Sequence, residues 1–295
     1  MAEQTITAPG VPAATARMPR PNKALDLRYQ PGFGTIAVCC LVLLYAPILV
    51  LVIFSFNGGP SVTRWGGFGL NWYVTAIENE GFHAAALTTI KITVTATIVS
   101  TLVATAAALA TTRTRHWPGQ TMAFVVINLP LMVPEIITAV ASLSFFALLA
   151  SVAHINMGLG NLILVHTVFC IPLAYLPIRA RLEDMDLTLE QAAADLYATP
   201  WQAFKRVTLP LLMPGISAGA ALAFIVSFDD FTITQLVAGP GQTTLPLFIW
   251  DRTRMPLTPE INALSTILLG ISILFVTVSF VIARKRRAQN RIQQQ

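Results

Sequence analysis

The chain has 295 residues, of which 55% are hydrophobic and 11% are charged, and its formal net charge is +5. An ordinary soluble domain carries about 25% charged residues, so this composition excludes a typical water-soluble enzyme. The apolar residues form long blocks, and about 20 consecutive apolar residues cross a bilayer as a helix. We therefore predict an all-α polytopic membrane protein. The basic excess lies beside the apolar blocks, where membrane orientation explains it, so nucleic acid is not an expected partner.

Residues 1–30 are rich in Ala, Pro and Thr and lack the apolar core of a signal peptide, which predicts a disordered cytoplasmic tail. Six apolar blocks follow, at residues 34–56, 84–111, 120–150, 158–178, 211–236 and 261–283. The third block exceeds one straight crossing and contains Pro130 and Pro134, which predicts a single kinked or tilted helix. Residues 31–285 form the predicted six-span domain, and residues 286–295 form a basic cytoplasmic tail.

Basic residues set the predicted orientation, because Lys and Arg that flank a span resist translocation. Most of the 19 basic residues fall in the two termini, in the loop after the second block and in the loop after the fourth block. An even number of spans places both termini on the same side of the membrane. The sequence therefore predicts that both termini are cytoplasmic.

The loop at residues 179–210 carries two helix-start signals of the Ser/Thr-x-x-Glu/Gln type. Thr188 is predicted to cap one short helix, and Thr199, followed by Pro200, is predicted to cap the next. The two helices would lie on the cytoplasmic face, either as a surface that a partner grips or as an amphipathic linker on the membrane. The spacing alone favours neither interpretation.

Residues 189–216, LEQAAADLYATPWQAFKRVTLPLLMPGI, resemble the EAA loop of the permease subunits of bacterial ABC importers. The family pattern is Glu-Ala-Ala, three residues, Gly, and then a closing Leu-Pro. Gln191 stands where Glu is usual and Tyr197 where Gly is usual, and a left-handed tyrosine would be strained by about 1–2 kcal/mol. The resemblance implies that the loop couples to an ATPase through Glu190, Gln191, Ala192, Ala193, Asp195, Tyr197, Pro200, Leu209 and Pro210.

A second segment, residues 227–269, is similar to the last third of the spermidine/putrescine importer permeases. The shared features are an Asp-Asp pair at 229–230, a Gly-Pro turn at 239–240, a Leu-Pro at 245–246 and Pro-Glu-x-Asn-Ala-Leu at 259–264. The resemblance extends over about residues 34–285.

This likeness implies a non-enzymatic permease subunit that moves putrescine or spermidine from a periplasmic binding protein across a bacterial inner membrane. Its implied partners are a second permease subunit, an ABC ATPase dimer, the binding protein and the lipid bilayer. The sequence lacks the Gly-x4-Gly-Lys-Ser/Thr phosphate loop. We therefore expect no cofactor in this chain and ATP binding in the partner.

Three acidic residues fall in predicted spans, where each costs about 2.5–3.5 kcal/mol on insertion scales. They are Glu135, Asp229 and Asp230. Ser227, Asp230 and Thr234 are predicted to share one face of the fifth helix. These five residues are candidates to line a pathway that attracts a polycation. The alternative is structural, with the carboxylates bonded to helix ends or to the partner permease.

Three alternative functions are considered for this sequence: an importer of another solute, an ion-coupled transporter and a hydrolase. A related importer could carry an opine or another amine. An ion-coupled secondary transporter would show an internal repeat with matching interrupted helices in both halves, and the sequence shows no such correspondence between its first three and last three spans. Gly215-Ile-Ser217-Ala-Gly219 matches a hydrolase nucleophile pattern, but all four histidines precede the serine. We instead expect Gly215 and Gly219 to allow close helix packing.

Overall fold

The computed structural model describes residues 33–114, 117–155, 157–254 and 258–292, without the side chains of 280 and 282–292. The predicted tail at residues 1–30 lies outside the described residues. The helices are α1 (Phe33–Phe54), α2 (Asn71–Glu78), α3 (Glu80–Thr112), α4 (Gln120–Met132), α5 (Glu135–Ala153), α6 (Leu159–Glu183), α7 (Thr188–Asp195), α8 (Pro200–Ala203), a π-helical turn (Phe204–Thr208), α9 (Leu209–Asp229), α10 (Thr232–Val237), α11 (Leu245–Thr253) and α12 (Glu260–Ile292). The all-α prediction is confirmed.

Six helices in the described residues are long and apolar enough to cross a membrane, as predicted from the apolar blocks. They are α1, α3, α5, α6, the continuous helical run from α8 to α9, and α12. Pro172 and Pro177 lie inside α6 without ending it. The last helix is longer than expected, because α12 continues to Ile292 and so includes most of the predicted C-terminal tail.

The third apolar block differs from its prediction. It is divided into α4 and α5 by Val133 and Pro134, whose ψ angles are both 132°. A residue before proline disfavours the α conformation, which accounts for the extended Val133. The prediction of one kinked helix is wrong: α4 has 13 residues and reaches only about 20 Å, so α5 alone is long enough to span.

The chain is divided between Val50 and Leu51 into two units. The described residues of the first unit, 33–50, belong to α1 and form an apolar helix whose side chains are exposed. In the second, α3, α6 and α9 pack together. A Cβ atom on Gly219 would lie 2.6 Å from the Ala174 carbonyl oxygen, and one on Gly215 would lie 2.7 Å from the Arg181 Cβ. Both glycines therefore permit the close packing of α9 on α6, as expected from their spacing.

Candidate coupling loop and intramembrane acidic site

The first helix of the candidate coupling loop, α7, begins at Thr188, but Thr188 is not its cap. Leu187 occupies the cap position, and no side chain caps the helix there. Asp186 supplies the local acceptor instead, since its Oδ1 accepts a hydrogen bond from the Thr188 backbone N–H at 2.9 Å. This hydrogen bond lowers the pKa of the Asp186 carboxyl below its ordinary value. The predicted Thr188 cap is therefore wrong, although the helix start was placed correctly.

The second capping prediction is confirmed. Thr199 Oγ1 accepts from the Gln202 N–H at 3.3 Å, and Gln202 Oε1 accepts from the Thr199 N–H at 3.0 Å. This reciprocal pair is a capping box, and Pro200 occupies the first turn of α8 as expected. The start of α8 is therefore specified by three adjacent sequence signals.

Between the two helices the chain turns at Tyr197, which has a left-handed φ of +58°. The Tyr197 N–H donates to the Ala194 carbonyl at 2.9 Å, and the Ala198 N–H donates to the Ala193 carbonyl at 3.1 Å. These two bonds form a Schellman motif, in which glycine is usual at the left-handed position. The tyrosine therefore keeps the corner that the family pattern assigns to glycine, and its side chain is 96% exposed.

Several large apolar side chains of the loop are exposed. The exposed ones are Leu187, Leu189, Leu196, Tyr197 and Trp201. Of the predicted coupling residues, the exposed ones are Gln191, Ala192, Asp195, Tyr197, Pro200 and Pro210, and the partly buried ones are Glu190, Ala193 and Leu209. Glu190 differs from the others because its side chain is bonded within the protein. Its Oε1 accepts from Thr208 Oγ1 at 3.1 Å and lies 3.3 Å from Arg113 Nε.

The fifth apolar block is also interrupted. The helix α9 ends at Asp229, Asp230 is extended with ψ of 125°, and α10 begins at Thr232. Ser227, Asp230 and Thr234 therefore do not share one face of a continuous helix, and that prediction is wrong. The three side chains nevertheless lie close together. Asp230 accepts a hydrogen bond from Thr234, and His166 contacts both Thr234 and Ser227.

Asp230 holds the start of α10. Its Oδ1 accepts from the Ile233 N–H at 3.3 Å, and its Oδ2 accepts from the N–H and the Oγ1 of Thr234, both at 3.0 Å. A carboxylate is favourable at a helix N-terminus, where backbone N–H groups lack intrahelical partners. The buried acid therefore satisfies the backbone donors that the interruption leaves free.

His166 of α6 joins the two sides of the break. Its Nδ1 lies 2.9 Å from Ser227 Oγ, and its Nε2 lies 3.3 Å from Thr234 Oγ1 and 3.5 Å from Asp230 Oδ2. Ser227 Oγ also donates to Thr93 Oγ1 of α3 at 3.5 Å. All five side chains are buried. Three spans and α10 thus meet in one polar network inside the apolar core.

Two further acidic residues, Glu135 and Asp229, share a pocket with Asp230 of this network. Glu135, the first residue of α5, lies beside Asp230 and Thr232. With Asp229 and Asp230 it lines a pocket of about 300 Å³. Ser227 and Thr234 do not line this pocket, and both contact His166. The structure therefore separates the five candidate residues into three that line a cavity and two that belong to the polar network around His166.

His166 and Thr93 are not among the site residues predicted from the sequence. A histidine within a span is itself a signal, because ionisable residues inside membranes are costly and generally face other polar groups. Thr93 gave no signal, because threonines are frequent along α3 and only the fold places this one beside Ser227. Ser217, the central residue of the hydrolase-like pattern, donates to the Pro214 carbonyl of its own helix at 3.1 Å.

Comparison with known families identifies this architecture. Residues 100–285 match the family described as the binding-protein-dependent transport system inner membrane component. The chain belongs to this family. It is thus a multi-pass inner membrane component and a non-catalytic permease subunit, as predicted, and the hydrolase alternative is excluded.

Relatives of this inner membrane component include two permeases of Escherichia coli (strain K12). The chain is 36% identical to the putrescine transport system permease protein PotI over 251 residues, covering 84% of this chain and 89% of PotI. It is 33% identical to the spermidine/putrescine transport system permease protein PotC over 247 residues, covering 84% of this chain and 92% of PotC.

Solved structures share the fold of this inner membrane component. A bacterial ABC transporter involved in the import of the acidic polysaccharide alginate aligns with a TM-score of 0.68 and 16% identity, over 86% of this chain and 93% of the other. The MetNI methionine ABC transporter, in inward-facing conformations, aligns with a TM-score of 0.58 and 18% identity, over 70% and 99%. The predicted ABC importer permease fold is confirmed.

Proposed function

We propose that this inner membrane component is one of two permease subunits of an ATP-driven importer that moves a putrescine-like or spermidine-like polyamine into the cytoplasm. The observation that carries this proposal is the 36% identity to PotI over 84% of the chain. A periplasmic binding protein would deliver the solute, and an ABC ATPase dimer would supply the energy.

In this proposal both termini and the coupling loop face the cytoplasm, in agreement with the distribution of Lys and Arg. The loop, from α7 to the π-helical turn, would dock on the ATPase through its exposed apolar side chains. Exposed aromatic residues such as Tyr197 and Trp201 are typical anchors of protein interfaces. Movement of the docked loop would then displace the attached spans as rigid bodies.

The pocket lined by Glu135, Asp229 and Asp230 suits a solute with several ammonium groups. Carboxylates pair with ammonium groups through charge-assisted hydrogen bonds, which are about twice as strong as neutral ones. The pocket is lined by residues of a helix interruption, and interrupted helices inside membranes are tolerated where they line a cavity. Polyamine selection would rest on the two acids that do not cap α10, namely Glu135 and Asp229.

The test is uptake of radiolabelled putrescine by the reconstituted complex, with both permease subunits, the ATPase and the binding protein. We expect Glu135→Gln or Asp229→Asn to reduce uptake about tenfold, the effect of losing one hydrogen bond to a charged group. Asp251→Asn, which neutralises an exposed acid outside the pocket, is the matched control and should leave uptake unchanged.

Two results would oppose this proposal in different ways. Wild-type uptake of an opine or another amine, with no uptake of putrescine, would replace the solute and keep the importer. Normal putrescine uptake by both pocket variants would remove the pathway role of the acids. Orientation is tested separately with Leu196→Cys in a background without native cysteines, which a membrane-impermeant maleimide should label only from the cytoplasmic side.

A further inference from the structure

The coupling loop has a connection to the spans that the order of the chain does not provide. By sequence, the loop follows α6 and precedes α9. The helix α3 ends far earlier, at Thr112, and the next residue is Arg113. Arg113 Nε lies 3.3 Å from Glu190 Oε1 of α7, within ion-pair distance but without hydrogen-bond geometry, and the two side chains are only 18% and 25% exposed. An ion pair thus joins the loop to the end of a third span.

Glu190 is held from its other side by the π-helical turn. Thr208 Oγ1 donates to the same Glu190 oxygen at 3.1 Å, and Thr208 is 5% exposed. The turn is closed by a hydrogen bond from the Leu209 N–H to the Phe204 carbonyl, five residues back. Single π turns inside helices are rare and are frequently found at functional sites. Here the turn places a buried hydroxyl against the carboxylate that pairs with Arg113.

The end of α3 is also bonded to α6. Thr111 Oγ1 lies 2.9 Å from the Tyr175 hydroxyl, which accepts from Arg179 Nη1 at 3.2 Å. The cytoplasmic end of α3 therefore contacts both α6 and the loop through polar groups. Of these contacts, the Arg113–Glu190 ion pair is the one that involves the loop. It is partly buried, so salt screens it less than an exposed ion pair, and it is the candidate to transmit displacement from the loop to α3.

We propose that Arg113 and Glu190 are positioning residues that fix the coupling loop to α3, so that displacement of the loop moves α3 together with α6 and α9. This inference rests on the proposed function, in which the ATPase displaces the loop. The resemblance places Glu190 among the residues that couple to the ATPase, whereas in the structure its carboxylate contacts Arg113 and Thr208 of this chain. Without the ion pair the loop loses this link to α3 and can rotate while α3 lags behind.

The direct test is a distance between spin labels in the reconstituted complex, with the native cysteines replaced. Labels on Thr114, beside Arg113, and on Lys205, in the loop, both occupy exposed positions. In the otherwise unmodified chain we expect the same narrow distance distribution in the nucleotide-free and vanadate-trapped states. In Arg113→Gln and in Glu190→Gln, we expect the distribution to broaden and to shift between the two states.

Coupling gives the second readout. We expect the number of putrescine molecules moved per ATP hydrolysed to fall about threefold or more in each single variant, because mutations in a contact network between two sites change their coupling by about this amount. The exchanged pair Arg113→Glu/Glu190→Arg should recover at least half of the loss, because the Thr208 hydroxyl can accept as well as donate. Glu183→Gln, which breaks the Arg179–Glu183 pair inside α6, is the control and should change neither readout.

The outcomes are distinguishable. Unchanged distances and unchanged coupling in both single variants would overturn the inference. Loss of assembly in both single variants, or equal loss of uptake and ATPase activity without recovery in the exchanged pair, would show a structural role only and would also overturn it. If the wild-type complex imports no putrescine, the proposed solute fails while the label distances still test the role of the ion pair.

Discussion

Replacement of Asp230 by Asn should destabilise the protein, although the two side chains have the same shape. Both carboxylate oxygens are occupied, Oδ1 by the Ile233 N–H and Oδ2 by the N–H and hydroxyl of Thr234. An amide offers one oxygen and one NH₂ group, so one backbone donor would face another donor in a site that is 7% exposed. A buried donor left without a partner costs about 1–3 kcal/mol.

The matched control is Asp229→Asn, which removes the neighbouring charge from an exposed position that caps no helix. We expect thermal unfolding of the purified complex to be lowered by Asp230→Asn and little changed by Asp229→Asn. Hydrogen exchange at the amides of Ile233 and Thr234 should accelerate in the first variant only. Equal melting temperatures together with equal exchange rates in the two variants would refute this assignment of Asp230.

Three further predictions concern packing, the loop corner and the polar network. Gly219→Ala should lower the free energy of unfolding by about 1–3 kcal/mol, because the new methyl would lie 2.6 Å from a backbone oxygen. The control is Gly270→Ala, where no atom lies within 4 Å of the added Cβ, and it should be neutral or stabilising in the same thermal unfolding assay. Tyr197→Gly should relieve about 1 kcal/mol of left-handed strain, seen as slower hydrogen exchange at the Ala198 amide, and faster exchange would contradict the corner. His166→Leu should lower thermal stability by about 1–3 kcal/mol, because two buried hydroxyls lose a partner, and an unchanged unfolding temperature would show that the network is dispensable.

The number and order of the spans could be predicted from hydropathy, because block length and composition alone decide whether a helix can cross a bilayer. The interruptions could not be predicted in the same way. The break before Pro134 carries a local signal, since residues before proline avoid the α conformation. The break at Asp230 has no proline or glycine, and its one local signal is the aspartate itself, a residue type that favours helix caps. The contact of Asp230 with His166 of a distant helix is revealed only by the fold.

The loop shows the same distinction. The Thr199–Gln202 capping box is specified within four residues and was predicted correctly. Thr188 with Gln191 has the same spacing but forms no box, because Asp186 already accepts the Thr188 N–H. The Arg113–Glu190 pair joins the residue that follows α3 to a residue of α7, so only the fold reveals it.

The most direct test of the whole proposal is the energy source of uptake. Proteoliposomes that contain the complete complex should accumulate putrescine when ATP is supplied on the side of the membrane where the ATPase lies and no ion gradient is present. They should lose this uptake when the partner ATPase is inactivated. Accumulation that follows a proton or sodium gradient and persists without ATPase activity would contradict an ATP-driven importer and favour an ion-coupled transporter.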